Sequence, residues 1–249
     1  MLRPLIQLVR QPLDDYVAAL ARFADGWQWP RLAVLAAAAG LSWFVYVPLH
    51  ELAHAWGCLL GGGSVSRLDI DPIYGAAMLQ RFFPFVSVGS AYAGQLSGFD
   101  TRGSDATYLL TDFLPFVGTI LLGVPLLRAA ARPGWSSSAQ AALFGAALPI
   151  AFAPFVSLTG DYYEMGSILV SGVAAWIRPG FAAARWRSDD LFKLAGELFG
   201  SAGAGDAGDA LGLLLSFVLG GLLAILTYAL GSAWARLLQR AAARASTAA

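Results

Sequence analysis

Long apolar runs divide this chain into segments of the length that a membrane helix needs. A helix that crosses a bilayer requires about 20 largely apolar residues. Four windows meet or nearly meet that length, namely 33–60, 108–127, 139–159 and 210–234. A fifth window, 162–177, is shorter and begins with two tyrosines and a glutamate, so it is either a short span or the second half of a broken one. The pattern predicts an all-α polytopic membrane protein with four to six spans.

The segment between the first two windows, 61–107, is too long for a plain connection. Apolar and polar residues alternate loosely in its first part before a Tyr74-Gly75 turn, which predicts a small β-hairpin insertion. Residues 82–99 are apolar but contain a proline and three glycines, so a re-entrant or interfacial segment is favoured over a straight span. If 82–99 does not cross, the loop that contains Asp161 lies on the same side as the end of the first helix.

The remaining segments are arranged around a membrane core. Residues 1–32 mix charged and apolar positions, which is typical of an interfacial helix and not of a cleaved signal peptide. The core is expected at 33–178, and a loop and linker at 179–209 follow it. A carboxy-terminal transmembrane helix and tail occupy 210–249.

The composition agrees with lipid as the main solvent. Hydrophobic residues make up 57% of the 249 positions and charged residues 13%, against about 25% charged in soluble domains. Mean hydropathy is +0.62. The 16 basic residues balance the 16 acidic ones, so no net charge indicates nucleic acid as a partner. We expect an integral multi-pass protein of a prokaryotic cell membrane, with the lipid bilayer as its surroundings.

The segment His50-Glu51-Leu52-Ala53-His54 is an HExxH pattern inside the first apolar window. Residues four apart on a helix lie on one face, so both imidazoles can bind one metal ion, of which zinc is the natural choice. Glu51 can take a proton from a zinc-bound water during attack on a carbonyl. The chain has no other histidine. Because ionisable residues inside a membrane are costly, a shared metal site explains this cluster better than two hydrogen-bonded histidines and a boundary carboxylate do.

A catalytic zinc ion usually has three protein ligands, so one more is needed. The single cysteine, Cys58, lies in an apolar stretch and is expected to be a buried thiol, which leaves a carboxylate as the missing donor. Asp161 is the candidate, because an apolar run breaks just before it. Glu164, one helical turn further, is the alternative ligand. Asp161 would also suit the N-cap of a helix at 162–177.

Four other polar residues lie near these segments. Asp112 in the second window either holds a histidine N–H or extends to the membrane interface. Gln95 is a candidate contact to an extended substrate backbone, although ordinary polar packing is favoured. Asp69 and Asp71 in the predicted hairpin are interpreted as solvated strand positions without a role in the site.

Together these residues resemble the site-2 protease family of intramembrane zinc metalloproteases. In that family HExxH lies on one transmembrane helix, a short sheet segment follows, and an Asp from a later transmembrane helix completes the zinc site. The similar parts here are His50 to His54, the stretch 62–75 and Asp161. The family's Asp usually stands in a Leu-Asp-Gly setting after an Asn-Pro pair, whereas this chain has Thr-Gly-Asp-Tyr at 159–162 and contains no Asn.

The resemblance implies a divergent member with a three-helix core and zinc as its cofactor. The implied activity is zinc-dependent hydrolysis of peptide bonds in a membrane protein substrate, with Glu51 activating the zinc-bound water. A zinc-binding membrane scaffold or regulator without protease activity is the alternative, motivated by the missing Asn-Pro pair. A transporter would explain the break in the apolar run at 154–160, but it would need related halves, and the sequence has no evident internal repeat.

Overall fold

The computed structural model describes residues 2–25 and 28–248, and 72% of the described residues lie in helices. The elements in chain order are α1 (Leu2–Ala24), α2 (Trp29–Leu60), β1 (Ser64–Ile70), α3 (Ala76–Leu79), β2 (Val86–Val88), β3 (Gly94–Asp100), α4 (Asp105–Phe113), α5 (Val124–Ala130), α6 (Ser137–Ala151), α7 (Ala153–Val156), α8 (Asp161–Ile177), α9 (Leu191–Phe199) and α10 (Ala207–Ala248). Short 3₁₀ turns lie at Pro72–Tyr74, Leu114–Phe116 and Ala183–Arg185, and a π-helical turn lies at Thr119–Gly123. The predicted mostly helical class is confirmed.

Three helical segments of the described chain are long and apolar enough to cross a membrane, namely Trp29–Leu60, Asp105–Ala130 and Ala207–Ala245. Each contains one of the predicted windows. The window 139–159 is interrupted after α6, which has 15 residues, and α8 has 17. Three segments of the described chain therefore have the length of a membrane-spanning helix. A count of four to six spans stays a prediction, as does the prokaryotic membrane.

The predicted β-hairpin is wrong, because β1 is the central strand of a three-stranded sheet with the order β2-β1-β3. β1 pairs in parallel with β2 and antiparallel with β3. After β1 the chain turns where expected, but Asp71 caps a 3₁₀ turn by accepting a hydrogen bond from Ile73 N (2.9 Å), and α3 follows. Both partner strands come from residues 82–100, so this segment forms sheet and does not form a membrane-spanning helix.

The chain forms two compact units. The first consists of residues 1–49, 116–153 and 225–249. Within it α1 packs on α5 and α6, and the buried rings of Phe23 and Phe144 lie 6.1 Å apart. A stripe of exposed apolar side chains on α1 is compatible with the interfacial helix expected at 1–32, and it consists of Ile6, Val9, Leu13, Val17 and Leu20.

The second unit consists of residues 50–115 and 154–224. The end of α2 packs on the sheet through buried Leu52 and Ala55, which contact Leu68 and Ile70 of β1. Gly57 lets α2 and α4 approach closely, because a Cβ atom there would lie 2.5 Å from the carbonyl oxygen of Leu110. This close packing fixes α4 beside the HExxH segment.

The loop and linker expected at 179–209 contains a helix and a charged anchor. α9 occupies its centre and packs through Leu194 on Tyr163 and Leu213. The Arg185 guanidinium group donates two hydrogen bonds of 2.6 Å to the Asp209 carboxylate. This ion pair connects the loop to the first turn of α10. This segment therefore belongs to the folded second unit.

Candidate metal centre

The last turns of α2 place His50 and His54 side by side. Their ring centroids lie 4.9 Å apart, and the two Nε2 atoms lie 3.2 Å apart. The four-residue spacing produces this arrangement, since residues at i and i+4 share one helix face. Two imidazole nitrogens at this distance cannot both point lone pairs at each other, so a proton or a cation has to lie between them.

Asp161 faces the same two nitrogens from the beginning of α8. Its Oδ2 atom lies 3.5 Å from His50 Nε2, and its Oδ1 atom lies 3.7 Å from His54 Nε2. The N-cap of α8 is Gly160, so the capping role considered for Asp161 is wrong. The Ser157 hydroxyl donates a 2.6 Å hydrogen bond to Oδ2 and thereby orients the carboxylate. Ser157 was not predicted, since nothing local in the sequence relates it to the histidines.

The three donor groups fit one tetrahedral zinc ion. Zn–N and Zn–O bonds of about 2.1 Å at tetrahedral angles separate the ligand atoms by about 3.4 Å. The two nitrogens are 3.2 Å apart, and they lie 3.5 and 3.7 Å from the Oδ2 and Oδ1 atoms of Asp161, respectively, so the separations fall on both sides of that distance. Among the described His, Cys, Asp and Glu residues, His50, His54 and Asp161 form the group whose ligand atoms all lie within 4.8 Å of one another. Two histidines and a carboxylate are one of the donor sets that catalytic zinc sites use.

A backbone contact fixes the orientation of the His54 ring. Its Nδ1 atom lies 2.9 Å from the carbonyl oxygen of Thr111 on α4. A carbonyl only accepts, so Nδ1 donates and Nε2 presents its lone pair to Asp161 and His50. Such outer contacts hold metal-binding histidines in one tautomer. For His54, the role considered for Asp112 is filled by the neighbouring Thr111 carbonyl. The alternative, in which Asp112 extends to the membrane interface, is wrong, because its side chain is buried.

Glu51 lies between the histidines in sequence and packs against strand β3. A Cβ atom on Gly94 would lie 2.4 Å from Glu51 Cγ and 2.7 Å from Cδ, so β3 can approach the carboxylate only with glycine at this position. Glu51 lines the same cavity as the three potential ligands. Gly94 is a further residue that the sequence did not identify, although it stands next to Gln95.

A cavity of about 670 Å³ lies beside this cluster within the second unit. Strand β3, α4, α8 and the residues before α9 contribute to its lining. Gln95 donates a 3.0 Å hydrogen bond to Asp189 Oδ2, which is the ordinary polar packing favoured from the sequence. Glu164, the alternative ligand, accepts a hydrogen bond from the Tyr108 hydroxyl and does not belong to the metal-binding group.

Two of the remaining predictions concern buried groups outside the cluster. Cys58 is a buried thiol, as expected. Asp69 is not solvated, because it is largely buried and accepts hydrogen bonds from Arg67 (2.8 Å) and Ser97 (2.6 Å). Partial desolvation raises the pKa of Asp69, but the contacts from Ser97 and Arg67 outweigh it and hold that pKa below its usual value.

Comparison of the chain with protein-family models, with curated proteins and with solved structures finds no match.

Proposed function

We propose that this protein is a zinc-dependent intramembrane protease, similar in its site to the site-2 protease family. The observation that carries the proposal is the convergence of His50, His54 and Asp161 on one point, with Glu51 at the wall of the same cavity. Three helical segments of spanning length support a membrane location for this chemistry.

Each residue of the cluster has a distinct task in this proposal. Zinc, when bound, supplies Lewis acidity that polarises a carbonyl and lowers the pKa of water. His50, His54 and Asp161 would hold it, with the Thr111 carbonyl orienting one of these ligands. Glu51 accepts a proton from the attacking water and returns it to the leaving amine, which is the usual work of a general base and acid.

The position of β3 supports a peptide as the substrate. β3 has one neighbour in the described sheet, β1, so its other edge is available for main-chain hydrogen bonds to an extended peptide. Gly94, Gln95 and Leu96 of this strand line the cavity. Because Gly94 contacts Glu51, a peptide segment paired with β3 would pass beside the general base. A transmembrane substrate has to unwind locally to adopt this extended form.

The test compares Glu51→Gln with the unaltered protein in detergent. Zinc content is measured by elemental analysis, and cleavage is measured on single-span membrane peptides. We expect Glu51→Gln to keep its zinc and to lose about 10²- to 10⁴-fold in cleavage rate, because a general base contributes about that much. Glu197→Gln, on the exposed face of α9, is the matched control and should behave like the unaltered protein.

Three results would decide against the proposal or its parts. Full cleavage by Glu51→Gln would remove Glu51 from the mechanism. Zinc without any turnover would favour the membrane scaffold or regulator. Protein that contains no metal and is indifferent to chelators would refute both functions.

A further inference from the structure

Two buried carboxyl groups on the cavity wall have no part in the proposed zinc chemistry. Asp112 of α4 is 3% exposed, and Glu164 of α8 is 6% exposed. Both line the cavity. A buried carboxyl group needs hydrogen-bond donors, a nearby cation or a bound proton, and inside a membrane protein such a group is costly unless it has a function.

Asp112 does not receive this compensation from the described chain. Its Oδ2 atom is buried and has no hydrogen-bond partner. The charges that act on its carboxyl group belong to Glu164, Asp161 and Asp189, all of which are acidic. Glu164 accepts a hydrogen bond from the Tyr108 hydroxyl. An acidic recess therefore lies next to the metal-binding cluster.

The cationic side chains of the cavity wall are engaged elsewhere or exposed. Arg187 donates to both carboxylate oxygens of Asp105, at 2.7 and 2.9 Å, and to the Ser171 hydroxyl at 2.9 Å. It acts on Glu164 only through space. Lys193 is exposed on the first turn of α9. Neither side chain donates a hydrogen bond to Asp112 Oδ2.

We propose that Asp112 and Glu164 form a subsite for a cationic side chain, Lys or Arg, of the peptide substrate. The inference rests on the proposed protease function and specifies its substrate class, a peptide segment with a basic residue close to the cleaved bond. The ammonium or guanidinium group donates to the carboxyl groups of Asp112 and Glu164 and thereby compensates the burial of this acidic pair. Charge-assisted hydrogen bonds of this kind are roughly twice as strong as neutral ones.

The surroundings of the recess suit the aliphatic part of such a side chain. The rings of Phe99 and Tyr108 pack edge to face at 5.3 Å, and both residues line the cavity. Lys and Arg side chains pack their methylene groups on apolar surface while the charged end finds a polar partner. A second metal ion fits less well, since neither Asp112 nor Glu164 belongs to a described group with metal-ligand spacing.

The proposal also places the cleaved bond within the substrate. Basic residues of membrane proteins concentrate at the ends of their transmembrane helices. A subsite for Lys or Arg beside the zinc cluster therefore selects a bond near the end of a substrate helix, where less of the helix has to unwind than at its centre.

The experiment measures binding separately from cleavage. Zinc-loaded Glu51→Gln protein in detergent is titrated with fluorescent hydrophobic peptides in which one Lys is moved through every position, each matched by a norleucine peptide. We expect the peptide with Lys at one particular position to bind about 30-fold or more tightly than its norleucine counterpart. Removing one partner of a buried charge pair lowers affinity by at least that factor. Adding Asp112→Asn or Glu164→Gln should bring the ratio of Lys-peptide to norleucine-peptide affinity towards one and leave the affinity for norleucine peptides unchanged. Adding Glu197→Gln should leave the ratio intact.

Cleavage of the same peptides by protein with Glu51 intact separates the two proposals. Lys-selective binding that depends on Asp112 without any cleavage would overturn the protease and keep the subsite. Cleavage with equal rates for Lys and norleucine at every register would overturn the subsite and keep the protease. The subsite would also be overturned if Lys and norleucine peptides bound equally well, or if a preference for Lys survived in both Asp112→Asn and Glu164→Gln. Folding of each variant is checked by its zinc content and its binding of the norleucine peptides.

Discussion

Replacing Gly94 by alanine adds one methyl group between strand β3 and the proposed general base. The new Cβ atom would lie 2.4 Å from Glu51 Cγ, 2.7 Å from Cδ and 3.2 Å from Oε2. The three atoms nearest to the new Cβ atom all belong to Glu51, and none belongs to His50, His54 or Asp161. The substitution therefore disturbs Glu51 and spares the metal ligands.

The size of the disturbance follows from the contact distances. Ordinary van der Waals contacts of a Cβ atom begin at 3.4 Å, so Glu51 or β3 has to move by about 1 Å. A misplacement of about 1 Å at a reacting group lowers the rate by about 100-fold, which corresponds to about 2.7 kcal/mol of transition-state stabilisation. We expect Gly94→Ala to lower kcat/KM by that factor and to keep its zinc.

The assay combines zinc content, thermal unfolding and cleavage of a single-span membrane peptide. Gly196→Ala is the matched control, because a Cβ atom on this α9 glycine meets nothing within 4 Å. It should keep both activity and zinc, and it should be slightly stabilised by the better helix propensity of alanine. Gly94→Ala is expected to unfold at a somewhat lower temperature, since overpacking costs about 1–3 kcal/mol.

Two results would refute this reasoning. Full activity of Gly94→Ala would show that the position of Glu51 does not limit the reaction. Loss of zinc together with activity would show that the disturbance extends to the metal ligands, so that the general base is not its specific target.

Three further predictions concern the surroundings of the site. Ser157→Ala removes the hydroxyl that orients Asp161 and should lower zinc affinity by about 10- to 100-fold, measured by competition with a chromophoric chelator; equal affinity would contradict the role of Ser157. Asp69→Asn loses the charge that Arg67 contacts and should lower stability by about 1 kcal/mol at neutral pH. Because the pKa of Asp69 is lowered on folding, this stabilisation is present above its usual value of 3.8 and is lost as pH falls through the folded pKa, so thermal unfolding of both proteins should converge at acidic pH. Ser104→Ala removes the N-cap of α4, where the side chain accepts from a backbone N–H, and should cost about 1 kcal/mol in thermal or chemical unfolding; no change would show that water replaces the cap.

Local periodicity explains which parts of the site could be predicted from the sequence. His50, Glu51 and His54 occupy one stretch of helix, so their relative placement follows from 3.6 residues per turn. Asp161 lies more than a hundred residues further on, and the need for an oxygen donor as the third ligand reduced the choice to Asp161 and Glu164. The contribution of Thr111 could not be predicted, because a backbone carbonyl leaves no trace in the residue types.

The sheet shows where local pattern fails. The alternation in β1 is sufficient to predict a strand, but it does not specify the strand's partners. In a hairpin, β1 would pair with the segment directly after its turn. In the structure β1 pairs with β2 and β3, which both follow α3 in the chain. The third apolar window, 139–159, failed in a similar way, since hydropathy located a helix there but not its end at Ala151.

A scaffold and a protease require different things of the residues around the metal-binding group. A structural zinc site is closed by four protein ligands, whereas a catalytic site keeps one position open. Among the described residues three donors converge, and all three line a cavity of about 670 Å³ that also contains Glu51. A scaffold has no use for a carboxylate at Glu51 or for a glycine that brings a sheet edge against it. The close packing of Gly94 on Glu51 is therefore the feature that most favours hydrolysis over metal binding alone.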